Sequence, residues 1–350
     1  MKIVIKMILF SLALGLILVF PGVVCCEEVN NNFLNQESAN DYWKNFSPDQ
    51  ARGIYITAST ALNQKKMKQL IDLVKSSELN AMVIDIKDGS SVYLIPEMGN
   101  LVQELLQEKI YPIARQVVFL DNNFGKKNPK HALKNSAGQT WRDRAGNIWL
   151  DPAAKEVWEY NAEISKAAVA IGFKEIQFDY IRFPSDGSVS AINYPVWDGK
   201  TPKSEVIKSF AEYITKEIKD FAPVSVSADI FGYTFIKSDL GIGQYIPDFI
   251  DYFDYLSPMV YPSHYSSGNF GFKNPAQYPY EVISKTLNKG EKYFKEDDRK
   301  KIRAWIQGFN MGAVYNEKMI GLEKQALYDF GLDGWLVWNP WNVYNQKAFE

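Results

Sequence analysis

Apolar and polar residues alternate along residues 175–186, which read E-I-Q-F-D-Y-I-R-F-P-S-D. Ile176 and Phe178 alternate with Gln177 and Asp179, and this period of two predicts a β-strand with different residues on its two faces. The proline near the end of the segment and the Asp-Gly pair that follows it predict where the strand stops. The segment is therefore a mostly apolar, buried strand that carries an acidic residue.

Asp179 is the residue of this strand that needs an explanation. An ionised carboxylate among aromatic and aliphatic neighbours is costly to desolvate unless it is paired or faces a polar cleft. Arg182 is the nearest candidate for a partner, and an ion pair that closes the end of the strand is one interpretation. The other interpretation is a working carboxylate at the mouth of a barrel.

Strand-like and helix-like patterns alternate through the rest of the chain. Met67, Leu70, Ile71 and Val74, for example, recur at the i, i+3, i+4, i+7 spacing of an amphipathic helix. The other predicted strands are residues 53–57, 81–88, 111–120, 223–233, 255–265, 301–309 and 334–339. Further helices are predicted at residues 101–108, from 151 onwards, and at 204–221, 244–251, 275–287 and 317–330.

Eight strands separated by helices between residues 52 and 341 predict an α/β protein built as a single (β/α)8 barrel, the TIM-barrel fold. The alternative is an open, doubly wound parallel sheet. That fold would place a glycine-rich phosphate loop after the first strand, and residues 56–59, I-T-A-S, contain no glycine. The alternation therefore favours the closed barrel.

Acidic residues stand near the predicted carboxyl ends of the fourth and fifth strands, where such barrels carry their chemistry. If the apolar residues of the fifth strand face the helices, Ser227 and Asp229 face the interior, as Gln177 and Asp179 do on the fourth. Neighbouring strands lie about 4.8 Å apart, which brings two carboxyls within the range that glycoside hydrolysis uses. Close carboxyls also push their pKa values apart, so that one can donate a proton. The alternative for Asp229 is a helix-capping or loop-closing role before Gly232.

Other charged residues near the strand ends are predicted to support this acidic pair. Asp85 and Lys87 stand two residues apart in the second strand, which predicts a charge pair within the strand that supports the mouth. Arg115 lies in an otherwise apolar third strand and is a candidate to neutralise the acidic cluster and keep Asp179 ionised.

Aromatic residues are frequent at or after the predicted strand ends. Their flat faces suit the C–H surfaces of sugars, whereas the alternative is that they fill the core and the loops. The predicted substrate-binding residues, aromatic and polar together, are Asp85, Lys87, Arg115, Trp141, Arg182, Tyr261, His264, Gln307 and Trp338.

Composition excludes several classes of enzyme. The chain has 350 residues, with 46% hydrophobic and 23% charged, which allows one large domain. It has 2 His and 2 Cys, and both cysteines lie at positions 25 and 26, so a metal site of the poly-histidine type is not expected. No G-x-S-x-G motif signals a serine hydrolase, and His131 lies in a long insertion at 121–150 rather than at a strand end. We expect neither a metal nor another cofactor.

The N-terminus has the pattern of an export signal. Lys2 and Lys6 precede an uncharged apolar run at residues 7–24, and cleavage after Cys26 would leave a chain that begins at Glu27. The alternative is an uncleaved N-terminal anchor, the one predicted membrane contact. We expect a polar linker at 27–50, a barrel at 51–350, and a protein that is secreted or attached to the outer face of the cell membrane. Without the two leader lysines, 37 basic residues stand against 41 acidic ones, so nucleic acid is not an expected partner.

Several stretches together resemble one known family. They are A-R-G-I-Y-I-T at 51–57, M-V-I-D-I-K-D at 82–88, Y-P-I-A-R at 111–115, W-R-D at 141–143, N-I-W-L-D-P at 147–152 and I-Q-F-D-Y-I-R-F-P at 176–184. They resemble the glycosyl hydrolase family once catalogued as domain of unknown function 4015, and the resemblance covers residues 52–339. It implies a TIM-barrel glycosidase with a carboxylate at the end of strand four, which here is Asp179. The second acid of such relatives is often Glu, whereas this sequence offers Asp229.

The sequence-based hypothesis is an exported glycoside hydrolase that acts on a polysaccharide or oligosaccharide of the envelope or the extracellular space. Asp179 is its expected nucleophile or base and Asp229 its expected general acid. One alternative is a catalytically inert barrel that binds a cell-wall glycan or another partner. A third hypothesis is a phosphate-binding metabolic barrel that uses the loop at 308–312. It conflicts with the export signal.

Overall fold

Eight parallel strands form the centre of the protein and close into a barrel in the order β1 to β8. The computed structural model describes residues 42–295 and 297–350. The strands are β1 (Arg52–Ile56), β2 (Ala81–Lys87), β3 (Tyr111–Val117), β4 (Glu175–Asp179), β5 (Ser225–Phe231), β6 (Tyr255–Met259), β7 (Trp305–Gln307) and β8 (Trp335–Trp338). The predicted (β/α)8 barrel is confirmed.

The α-helices lie in the connections between the strands. Their bounds are Ala58–Ala61, Gln64–Lys75, Pro96–Gln107, Asn122–Lys127, Lys155–Ala170, Lys203–Phe221, Ile246–Tyr252, Pro279–Gly290 and Glu317–Asp329. The helix Gln64–Lys75 buries Met67, Leu70, Ile71 and Val74, the four residues whose spacing predicted it. In the described part of the chain no helix is both long enough and apolar enough to cross a membrane.

Alternate residues of each strand belong to two separate layers. Ile54 and Ile56 of β1 point outwards into the large apolar layer beneath the helices. Tyr55 points inwards and packs with Val83 and Trp305 in a smaller cluster inside the barrel. Both faces of a strand in this fold are covered, so the period of two separates an outer apolar face from an inner face that accepts polar side chains.

Strand β4 is shorter than the sequence predicts. It ends at Asp179, because Tyr180 adopts a φ of 56°, a left-handed conformation that interrupts a strand and is uncommon for a bulky residue. Ile181 and Phe183 remain buried, but they pack in the loop after β4 and not in the strand. The proline at 184 therefore does not end the strand.

The amino end of the barrel is closed by a buried ion pair. Arg303 donates to both carboxylate oxygens of Glu175, and the side chains of both residues are fully buried. Arg303 also donates to the carbonyl oxygen of Pro48 at 3.0 Å, and Phe46 stacks on Tyr111 with ring centres 4.6 Å apart. The segment before β1 is thereby held against this end. The predicted leader and most of the predicted linker, residues 1–41, lie outside the described residues.

Candidate active site

Asp179 and Asp229 stand side by side at the carboxyl end of the barrel. Phe178 of β4 lies opposite Ala228 of β5 in the parallel ladder, so the two aspartates that follow them are at similar height. Both side chains point into the barrel, where they meet the same guanidinium group of Arg115. The inward face predicted from the alternation is confirmed for both strands.

Arg115 of β3 holds three carboxyl groups together. Its Nη1 donates to Asp85 Oδ1 at 2.6 Å, its Nη2 donates to Asp179, and its Nε lies 3.6 Å from Asp229 Oδ2. Arg115 is 5% exposed, so these contacts lie in a region where little water screens them. The ion-pair partner of Asp179 is therefore Arg115 and not Arg182, the alternative partner that the sequence suggested.

The shared guanidinium also limits how far apart the two aspartates lie. Each carboxyl contacts one nitrogen of the same small planar guanidinium. The distance between the two carboxyl groups is therefore at most the sum of the two contact distances and the width of the guanidinium. That limit falls within the separations that glycosidases use, about 5 Å for retention and up to about 9.5 Å for inversion. The pair is close enough for either outcome.

Asp229 lies in surroundings that favour its protonated form. The residue is 1% exposed, and burial together with the neighbouring charge of Asp179 raises the pKa of its carboxyl well above the usual range. The indole N–H of Trp305 donates to Asp229 Oδ1 at 2.6 Å and, like Arg115, acts in the opposite direction. Asp229 therefore keeps a proton at pH values where a free aspartate has lost it.

Asp179 has surroundings of the opposite kind. Its Oδ1 accepts a hydrogen bond from the backbone N–H of Tyr180 at 2.6 Å, and its Oδ2 accepts from Arg115. Both contacts come from donors, which suits a carboxylate. Asp179 is also 8% exposed, more than Asp229, so it is the acid nearer to solvent.

The second strand separates two residues that the sequence analysis paired. Asp85 points inwards and is bound by Arg115 and by the hydroxyl of Tyr55. The ladder between β2 and β3 shifts register between Asp85 and Lys87, and Lys87 forms an ion pair with Asp121 at 3.0 Å. The predicted charge pair within the strand is therefore wrong.

Aromatic rings form part of the wall around Arg115. The half-buried ring of Trp338 stacks on Tyr55 with centres 3.7 Å apart, and the Arg115 guanidinium lies 5.0 Å from the Trp338 ring. Burial and then the charges of Asp229 and Asp179 raise the pKa of Tyr261 well above its usual range, so its hydroxyl stays neutral. The exposed ring of His264 lies 5.1 Å from the Tyr261 ring.

Two other predicted substrate-binding residues form hydrogen bonds with the backbone of neighbouring loops. Trp141 is buried, and its indole N–H donates to the carbonyl oxygen of Ser188 at 3.2 Å. Gln307 is fully buried, accepts from the backbone N–H of Ser263 and donates to the carbonyl oxygen of Phe309. Both side chains therefore have structural partners of their own.

Sequence reasoning missed two residues that contact the carboxyl cluster and one that supports the wall. Tyr55 and Trp305 bind Asp85 and Asp229, and their positions on the inner faces of β1 and β7 are signalled only by the period of two. Glu323 accepts the backbone N–H of Gln307 at 2.8 Å from within a buried part of the helix Glu317–Asp329. Burial raises the pKa of Glu323 well above its usual range, and nothing in the sequence around it predicts that burial.

The three carboxyl groups of the cluster surround the guanidinium of Arg115. Within residues 42–295 and 297–350, no group of three or more His, Cys, Asp and Glu side chains is placed to hold a metal ion. The chemistry that this geometry offers is proton transfer from a buried acid next to a carboxylate that can attack or activate water.

The family described as "Putative glycosyl hydrolase domain" matches residues 53–344, which span the whole barrel. The chain belongs to this family. The resemblance inferred from the sequence motifs is thereby confirmed, and membership makes the chain a glycosidase by family. No curated protein matches the chain.

Solved structures are similar to this chain to different degrees. The PgaB (BpsB) glycoside hydrolase domain from Bordetella bronchiseptica is 12% identical, with a TM-score of 0.62 over 83% of this chain and 94% of that one. The spore cortex-lytic enzyme SleL from Bacillus megaterium is 12% identical, with a TM-score of 0.53 over 86% of this chain and 74% of that one. A hypothetical protein from Ruminiclostridium thermocellum is 33% identical over 50% of this chain and 96% of that one, with a TM-score of 0.44. The first two likenesses show the fold.

Proposed function

We propose that this protein is an exported glycoside hydrolase that cleaves a polysaccharide of the envelope or the extracellular space with Asp179 and Asp229. One observation carries the proposal. Two carboxyl groups at similar height on adjacent strands share Arg115, and one of them is buried with a raised pKa while the other is bound by donors and nearer to solvent. Unequal surroundings of this kind assign different roles to two acids of the same type.

In the proposed reaction Asp229 gives its proton to the glycosidic oxygen as the bond to the anomeric carbon breaks. Asp179 either attacks that carbon to form a covalent glycosyl ester, which water then hydrolyses, or removes a proton from the water that attacks it. Arg115 holds both acids in place, Asp85 accepts from the other side of Arg115, and the Tyr55 hydroxyl donates to Asp85. The exposed part of the Trp338 ring would support the sugar.

Export is proposed from the charged and apolar pattern of residues 1–26. One of the structures with the same fold is named a spore cortex-lytic enzyme, which agrees with a substrate outside the cell membrane. If the leader is cleaved after Cys26, intact-mass analysis of the protein from the culture medium or cell wall will give a chain that starts at Glu27. A chain that keeps residues 1–26 and fractionates with membranes would instead support an uncleaved anchor.

A second candidate, a glycan-binding barrel without catalysis, is favoured by the tightness of the mouth. Asp229 is 1% exposed and Asp179 is 8% exposed. A cavity of about 670 Å³ beside the loops after β4 and β5, and another of about 460 Å³ beside the loops after β7 and β8, are lined by other residues. A glycan held in either cavity would be bound without reaching the acids.

Crystals of the wild-type protein soaked with a panel of cell-wall and extracellular oligosaccharides distinguish the two candidates. Hydrolysis requires a sugar at the barrel mouth with its anomeric carbon about 3–3.5 Å from a carboxylate oxygen of Asp179 or from a water bound to it. It also requires that new reducing ends appear when the same sugars are incubated with the protein in solution. Sugars found only in the two flanking cavities, with no reducing ends released from any of the panel, would support the binder.

A further inference from the structure

Arg182 lies against two residues that closely follow the proposed catalytic acids in β4 and β5. Its guanidinium carbon is 5.2 Å from the ring centre of Tyr180, the residue after Asp179, and 4.6 Å from that of Phe231, two residues after Asp229. A third ring, that of Trp149, lies 4.9 Å away. Contact with three aromatic rings fixes the plane of a guanidinium, and Arg182 is only 8% exposed.

This guanidinium has no carboxylate partner among the described residues. Its hydrogen bonds both come from Nη1, to the carbonyl oxygen of Phe183 at 3.2 Å and to Ser185 Oγ at 3.0 Å. Nε and Nη2 have no acceptor in that part of the chain, and neither of them is fully shielded from solvent. Nε and Nη2 form one edge of the fork that grips a carboxylate with two parallel hydrogen bonds.

The acidic residues around Arg182 are bound elsewhere or point to solvent. Asp179 is held by Arg115. Asp143 accepts from the Trp149 indole N–H at 3.0 Å and from the backbone N–H of Asn147 at 2.8 Å. Asp186 is exposed, and it acts on Arg182 through its charge, without a hydrogen bond between the two side chains. None of these carboxylates occupies the free edge of Arg182.

The other two buried arginines of the described chain show what is missing. Arg115 contacts three carboxyl groups, and Arg303 grips Glu175 with two donors. A buried cation that no carboxylate contacts directly is costly: burial lowers the pKa of Arg182, and the more distant charges of Tyr180, Asp179, Asp186 and Asp143 offset this only in part. A protein keeps such a group where a ligand supplies the missing charge.

Arg182 also connects the mouth to a neighbouring cavity. Ser185, which accepts from Arg182, lines the cavity of about 670 Å³ together with the half-buried rings of Tyr194 and Trp197. Lys203 lines the same cavity and is a second, half-buried cation. A glycan chain that leaves the mouth along the loop after β4 therefore passes Arg182 and then reaches aromatic rings and another positive charge.

We infer that the Nε and Nη2 edge of Arg182 binds a carboxylate on a sugar next to the scissile bond, so that the substrate is an acidic glycan. This inference rests on the proposed glycoside hydrolase function and adds the chemical class of its substrate. The carboxylate can belong to a uronic acid of the chain or to the lactyl ether of a muramic acid. Both present the same planar, charged group to the arginine.

Titration calorimetry with matched probes tests this assignment. The probes are uronic-acid oligosaccharides in one arm and muramic-acid-containing glycan strands in the other, each as the free acid and as its methyl ester. In one of the two probe series, uronic-acid or muramic-acid, we expect wild-type protein to bind the free acid about tenfold or more tightly than its methyl ester. A charge-assisted hydrogen-bond pair requires a difference of this size. Arg182→Met should remove this difference and leave the affinity for the ester unchanged, and Arg182→Lys should keep part of it because it keeps the charge but loses the fork.

Arg144→Met is the matched control, because Arg144 is an exposed arginine of the neighbouring insertion, and it should keep the full preference. Equal dissociation constants for acid and ester in wild-type protein, or a preference that survives Arg182→Met, would overturn the assignment, and so would a failure to bind any probe. The wild-type comparison of acid with ester needs no variant, so the test holds even if Arg182→Met does not fold.

The failure of this inference can be told apart from the failure of the proposed function. Cleavage of neutral glycans without any acid preference overturns only this inference, whereas acid-selective binding without cleavage of any probe overturns only the proposed hydrolysis.

Discussion

The indole nitrogen of Trp305 lies 2.6 Å from Asp229 Oδ1 and donates a hydrogen bond to it. The two residues are on β7 and β5, so the bond crosses the inside of the barrel. A donor favours the charged form of a carboxyl, and this one opposes the effects of burial and of Asp179. Trp305, together with the larger opposing effect of Arg115, thus limits how far the pKa of Asp229 is raised.

Replacing this donor shifts the pH range of activity. In Trp305→Phe the pKa of Asp229 rises further, because the bond that lowers it is lost. Asp229 then keeps its proton to higher pH, so the alkaline limb of kcat/KM should move to higher pH, as pH profiles of the two proteins would show. Trp335→Phe removes a buried indole whose N–H donates to the Tyr328 hydroxyl, and it should leave that limb in place. A limb that moves to lower pH in Trp305→Phe would contradict the role given to Asp229.

Replacing Asp229 itself tests its role as the acid. Asp229→Asn cannot donate a proton, so cleavage of a polysaccharide should fall by about a hundredfold or more. An aryl glycoside with an acidic phenol as leaving group needs no protonation and should lose much less. The alkaline limb should disappear with the group that causes it. Equal losses on both substrates would assign Asp229 a purely structural role.

The barrel and the inward-facing acids could be predicted because each depends on a local pattern. The period of two in β4 and β5 decides which residues face inwards, and the parallel fold decides that Asp179 and Asp229 meet at one end. Neither conclusion requires knowledge of a particular contact between distant residues.

The partners of these acids could not be predicted from proximity in the sequence. Tyr180 turns the chain out of the strand, so Arg182, three residues after Asp179, lies on the far side of that turn. The register shift in β2 likewise sends Lys87 away from Asp85. Arg115 reaches Asp179 from the adjacent strand β3, 64 residues away in the chain, and Trp305 reaches Asp229 across the barrel, 76 residues away. Such pairings depend on strand register and side-chain length, which the pattern of apolar residues does not record.

Removing Arg115 should destabilise the protein in a pH-dependent way. Arg115→Met leaves Asp85, Asp179 and Asp229 without their common cation, and breaking a buried ion pair costs about 3–5 kcal/mol. The pKa values of Asp85 and Asp229 are already raised, mainly by burial, and they rise further without Arg115. The loss of stability should therefore be largest at neutral pH and smaller in acid, where the carboxyls are protonated.

Urea unfolding between pH 4 and pH 8 measures this effect. Arg142→Met is the control, because Arg142 is exposed and its loss should change the free energy of unfolding by no more than about 0.5 kcal/mol. A loss of stability in Arg115→Met that does not depend on pH would mean that packing, and not charge, explains the role of Arg115.

The opposite end of the barrel should affect stability without affecting catalysis. Arg303→Met leaves Glu175 buried and unpaired, with an expected cost of about 3–5 kcal/mol, whereas the double variant Glu175→Gln/Arg303→Met should recover part of it. Because this pair lies at the amino end, and Arg303 has the smallest of the effects on the pKa of Asp229, kcat per folded molecule at each variant's pH optimum should stay unchanged. Denaturant unfolding and active-site titration provide the two readouts. A fall in kcat in the folded double variant would show that this end of the barrel contributes to the reaction.

The most direct test of paired-acid hydrolysis is the turnover and glycan binding of Asp179→Asn. The substitution keeps the size of the side chain and removes its charge, so cleavage should fall by at least about a hundredfold while glycan affinity is retained. Asp220→Asn, the same change at an exposed residue of the helix Lys203–Phe221 that pairs with Lys216, should behave as wild type. Full turnover in a folded Asp179→Asn protein would contradict the account.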